Sequence, residues 1–195
     1  MATQSAKYLL TGTSPLIVHN PRLVNKLDPL CKEFAKVKGK RKKTDADDEH
    51  LLHLQFLASM YLNKDGSPVM PADNIRACLI GGGKKQKDGK LVAEAIWIVE
   101  NPEIQYEGPR DAEDMWQDER FPFIKQVRIG QSRVMSARCW FQEWSIDVDV
   151  EFEDELLNSD TLDHIFEMAG RRVGLGDWRP EKYGQYGTFN AERAA

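Results

Sequence analysis

The chain has 195 residues, 41% of them apolar and 30% charged, the balance expected of a soluble folded protein. Its apolar runs are only a few residues long, far below the roughly 20 that cross a bilayer, and Met1–Leu10 carries no charged-then-apolar leader, so a cytoplasmic protein without a membrane is expected. A net charge of −4 excludes a surface built wholly for nucleic acid, yet residues 21–43 hold nine Lys or Arg against Asp28 and Glu33, a net +7 that leaves −11 on the rest.

In chain order, Ala6–His19 reads as an extended segment bent at Ser14-Pro15, where proline removes a ladder donor. Leu27–Val37 suits a short helix with Asp28 or Asn25 near its start. Lys38–Lys43 is too charged to bury and reads as a loop. Asp45–Leu62 is a second helix, with acidic residues at its start and an apolar stripe of Leu51, Leu54, Leu57 and Ala58. Turn chemistry at 63–68 ends it.

A third helix follows Pro71, with Ile75, Leu79 and Ile80 inward and Gly81-Gly82-Gly83 as its expected stop. Lys84–Lys90 reads as a basic loop, Ala93–Val99 as a strand, Gly108–Glu119 as an acidic loop or short helix, and Val127–Phe141 as a hairpin turning near Gly130. The clearest strand is Trp144–Glu153, where Trp144, Ile146, Val148, Val150 and Phe152 alternate with polar or acidic residues. Ser159–Val173 is an amphipathic helix capped by Ser159 or Asp160, with Leu162, Ile165, Phe166, Ala169 and Val173 inward. A last strand is expected at Gln185–Asn190.

Without its insertions the order is βαββαβ. The expected fold is therefore α+β, a ferredoxin-like (RRM-like) core in one domain over 1–195, with a basic helical insertion at about 20–70 and a β-hairpin insertion at about 101–143.

Several motifs fail on their chemistry. "LIGGGKKQ" resembles the end of a P-loop, but Cys78 stands where the first glycine belongs and Lys85 where Ser or Thr must follow the lysine. "GQSRV" lacks the second glycine of a nucleophile elbow. His50 and His53 are three apart, not four as in zincins, and Cys31, Cys78 and Cys139 form no Cys-x-x-Cys pair, so they are expected to be reduced and mostly buried. No metal or cofactor is expected. The outward residues of Trp144–Glu153 include Asp147, Asp149, Glu151 and Glu153, which repel phosphate, so an RNP-type stacking sheet is not expected either.

Three stretches resemble the RAMP superfamily of CRISPR systems, especially the backbone subunits that bind guide RNA: "SPLIVHN" (14–20), "MPADNIRACLI" (70–80) and "GLGDWRPEKYGQYG" (174–187). The resemblance implies a ferredoxin-like palm, assembly head to tail along a single strand, alone or with other effector-complex subunits, and nucleic acid approaching the segment between first strand and first helix. That segment carries the basic run.

The expected ligand is single-stranded RNA or DNA. Lys36, Lys38, Lys40, Arg41, Lys42 and Lys43 would neutralise phosphates, with Lys84, Lys85 and Lys87 as further point charges. In the glycine-rich loop, Gly174 and Gly176 would allow close backbone approach and an anion nest, Arg171, Arg172 and Arg179 would add charge, and Trp178 would stack on a base. Two alternatives remain open: a metal-dependent ribonuclease using Asp28, which the resemblance makes comparable to an aspartate used by cutting relatives, and a structural protein that assembles without nucleic acid.

Overall fold

The structure of the protein, a computed structural model, describes residues 3–194. Met1, Ala2 and Ala195, which the expected domain includes, lie outside the described residues. In chain order the elements are β1 (Thr3–Gly12), β2 (Leu16–Ile17), α1 (Pro29–Lys38), α2 (Asp45–Ser59), α3 (Ala72–Lys84), α4 (Gly89–Ala95) and β3 (Ile96–Ile98). They continue with β4 (Ile104–Gln105), α5 (Ala112–Gln117), β5 (Pro122–Ile129), β6 (Ser132–Phe141), β7 (Ser145–Glu153), α6 (Ser159–Arg172) and β8 (Phe189–Arg193). The chain is mixed α and β with antiparallel strand pairing. It forms two compact units: Met1–Leu16 with Pro68–Glu107 and Phe141–Ala195, and Ile17–Ser67 with Gly108–Trp140.

In the first unit the alternating pattern of β7 buries Ile146, Val148, Val150 and Phe152 on one face. β7 pairs with β1 from Thr3↔Glu153 to Thr11↔Ser145, and β8 joins the other side of β1, giving the order β3-β7-β1-β8, with β4 also on β7. Two helices cover the buried face. α6 turns Leu162, Ile165, Phe166 and Ala169 inward, and Phe166 stacks on Tyr8 of β1 with ring centroids 3.9 Å apart. Each such large apolar side chain contributes about 1.5–3 kcal/mol by leaving water. Asn158, rather than Ser159 or Asp160, caps α6, its side-chain oxygen accepting from Thr161 N at 2.9 Å.

The three glycines at 81–83 do not stop α3. They are buried inside its last turns, and the helix runs on to Lys84. The reason is packing: a Cβ on Gly81 would lie 2.9 Å from Val173 Cγ1, and one on Gly83 would lie 2.6 Å from Val92 Cγ2. Close approach outweighs low helix propensity here. The expected loop at 84–90 and strand at 93–99 are likewise revised. Residues 89–95 form α4, which buries Val92 and Ala95, and only Ile96–Ile98 join the sheet. Arg76 fixes that junction by donating to the carbonyls of Ala93 and Ile96, the latter at 3.0 Å.

In the second unit, Asp28 caps α1 and Thr44 caps α2 through a capping box with Asp47. α2 stops at Ser59, earlier than expected, because Asn20 takes its last carbonyls: Asn20 N donates to Ser59 O at 2.8 Å and Asn20 Nδ2 to Met60 O at 3.0 Å. The buried Ser59 hydroxyl donates to Phe56 O at 2.7 Å and accepts from Cys139 N at 2.9 Å, tying α2 to β6. The hairpin β5–β6 pairs from Pro122↔Cys139 to Ile129↔Ser132, and Phe56 packs against Trp116 of α5. Among the described residues no helix is long and apolar enough to cross a membrane. All three cysteines are free and buried, and burial pushes the Cys78 thiol up to about 12.

Candidate nucleic-acid interface

The basic run falls at the end of α1 and in its connection to α2. Lys36, Lys38, Lys40, Arg41, Lys42 and Lys43 are all exposed. Among described residues only Lys40 of these six makes an ion pair, with Asp47 Oδ1 at 2.5 Å. That pairing, followed by the Thr44 amide, holds the Asp47 carboxyl down to about 2. Lys38 Nζ sits 5.6 Å from the Phe34 ring centroid. A groove of about 640 Å³ runs beside the segment, lined by Lys32, Lys36, Lys40, Asp47 and His50 among others. Lys32 and Lys36 stand four residues apart on α1, about 6 Å along its axis, and Lys40 follows two residues past its end.

Asp28, the nuclease candidate, is engaged structurally. Its Oδ1 accepts from Leu30 N at 2.8 Å and its Oδ2 accepts from Arg22 Nε at 2.6 Å, and the Arg22 bond holds its carboxyl below the usual carboxylate range. His50 and His53 face different carboxylates, His50 Nε2 lying 2.8 Å from Glu33 and His53 Nε2 2.8 Å from Glu113. No group of three or more His, Cys, Asp or Glu able to hold a metal occurs among the described residues.

The remaining site residues belong to the first unit. Lys84, Lys85 and Lys87 are exposed around the end of α3, where the Asp88 amide returns to Gly83 O at 2.9 Å. Arg171 and Arg172 are exposed in the last turn of α6, and Arg171 reaches Glu167 at 3.2 Å. Gly174 (φ 75°) and Gly176 (φ 73°) take the left-handed backbone that glycine permits. The Gly174 amide donates to Ala169 O at 2.8 Å and the Leu175 amide to Gly187 O at 2.9 Å, so these two amides serve the fold rather than an anion nest. Arg179 is also tied inward, to Gly176 O at 3.0 Å and Glu181 Oε2 at 2.9 Å. Trp178 is half-buried at 6.3 Å from Tyr186.

Two features were not evident from sequence. Tyr183 is fully exposed with φ 61° and ψ 19°, at the end of the 3-10 turn Pro180–Lys182. Its only signal in sequence is the neighbouring glycine in "KYGQ". The outward sheet face carries, beside exposed Asp147 and Glu151, the exposed apolar Leu9 and Trp97, and Asp149 pairs with Lys7 at 3.1 Å. Compared with known proteins, the chain matches no family model, and no curated protein matches it.

Proposed function

We propose that this protein is a non-catalytic binder of single-stranded RNA or DNA that assembles along its ligand, with the α1–α2 connection as the principal phosphate contact and a ferredoxin-like core in its first unit. One observation carries the reading: five of the six cations at 36–43 are exposed and make no ion pair with another described residue. Their charge stays available to displace counterions from a phosphate backbone. The carboxylates of the outward sheet face turn phosphate away from that surface. The antiparallel order β3-β7-β1-β8, with α3 and α6 on one face, supports the ferredoxin-like core. Opposite charge on the sheet face and the basic segment supports association between copies.

The test is binding of labelled single-stranded RNA and DNA across a salt series. For single strands, log K falls with log salt by about 0.7 per phosphate neutralised, so reversing Arg41, Lys42 and Lys43 to Glu should weaken binding and flatten the slope by about 2. Binding that is absent, or a slope that the triple variant leaves unchanged, rejects the assignment. Sedimentation with and without ligand reads the assembly.

A further inference from the structure

We infer that Tyr183 is a nucleobase-stacking residue, displayed to solvent on the hydrogen-bonded loop 174–187; the inference rests on the binding function proposed above. The ring is fully exposed and adds nothing to the core. Its backbone sits at φ 61°, in the left-handed region, where bulky residues are rare and glycine or asparagine is the usual occupant after a helical turn. Tyrosine is thus the less favourable choice for folding, and its ring recovers nothing inside the molecule. Strained backbone kept in this way points to a role outside the fold.

The loop also fixes where the ring stands. Tyr183 N donates to Pro180 O at 3.0 Å, Gly184 N to Arg179 O at 3.0 Å, and Tyr186 N to Trp178 O at 3.1 Å. Gly184 packs so tightly that a Cβ there would lie 1.6 Å from Trp178 O. Both sides of Tyr183 are therefore anchored, and a stacking platform held this way loses little freedom on binding. Every base offers a π-face to such a ring, whatever the sequence. Lys182, exposed and without an ion pair among described residues, supplies a neighbouring charge for phosphate. Trp178, the aromatic that sequence favours, lies half-buried and forms part of the support.

The experiment measures affinity by fluorescence anisotropy for whichever of oligouridylate and oligothymidylate the wild type binds, and for an abasic strand of the same sugar and length. Tyr183→Ala should weaken binding of the base-bearing strand about tenfold, leave the abasic strand unaffected and keep the salt slope. Tyr183→Phe should bind as the wild type does. Tyr183→Asn should fold with a raised Tm, because the left-handed backbone suits asparagine better. An equal loss on both strands, no loss on either, or a loss confined to self-association in sedimentation would overturn the inference. Wild-type protein that binds no strand overturns it together with the proposed function, whereas wild-type binding that Tyr183→Ala leaves intact overturns it alone.

Discussion

Gly82 of α3 faces the backbone of α6 so closely that a Cβ on it would stand 2.7 Å from the carbonyl oxygen of Ile165. It would also stand 2.9 Å from Ala169 N, so the obstacle is main chain that cannot rotate away. In an exposed helix, Gly→Ala gains about 1 kcal/mol of helix propensity. Here the overpacking dominates, and Gly82→Ala should lower stability by about 1–3 kcal/mol. The urea midpoint reads the sign directly; a midpoint raised by Gly82→Ala would mean that the two helices separate without cost.

Tyr8 gives a second expectation, set by pH. Its hydroxyl donates to Asp163, and burial, then that hydrogen bond and the Asp163 charge, push the phenol above its ordinary value of about 10. A folded value above the unfolded one means that the contribution is complete below pH about 10 and is lost as pH rises beyond it. Tyr8→Phe should cost about 1 kcal/mol at neutral pH. It should also make the decline above pH 10 shallower. Stability curves for the two proteins that run parallel above pH 10 would refute this.

Asp47 predicts the opposite sign. Lys40, then the Thr44 amide, hold its carboxyl down to about 2, so its support for the start of α2 is complete above the ordinary carboxylate value and is lost as pH falls through about 2. At neutral pH, Asp47→Asn should release the Lys40 tether and speed tryptic cleavage after Lys40, Arg41, Lys42 and Lys43. Asp48→Asn serves as the control on the same helix turn. Equal cleavage of both variants would show that the ion pair does not order the connection.

Long periodic elements were legible in the sequence. The alternation of β7 and the stripe of Leu162, Ile165, Phe166 and Ala169 each state one period without conflict, and both elements form within a residue or two of the expected bounds. What escaped depends on partners distant in sequence. Gly81, Gly82 and Gly83 look like a helix stop until Ile165, Val173 and Val92 are placed against them. Residues 93–95 look like strand until the short helix α4 buries Val92 and Ala95. The last strand begins at Phe189 rather than Gln185 because the amides of Tyr186 and Gly187 are already bound to Trp178 O and Pro15 O. In the candidate interface the basic run was legible as charge. Asp28 was already legible near the start of the first helix, whereas that Lys40 is paired and that Tyr183 rather than Trp178 stands outward follow from the folded geometry.

The position of β1 in the sheet constrains the order of folding. Gln4 reaches Asp154 across 150 positions of chain, and β8 must arrive later still to cover the other side of β1. Loop closure over such distances is entropically demanding and slow. The β5–β6 hairpin and the neighbouring α1 and α2 join residues near in sequence and can organise early. Synthesised before either partner, β1 therefore waits as an unpaired strand until β7 has been made, and its exposed edge is where misassociation of nascent chains is expected to begin.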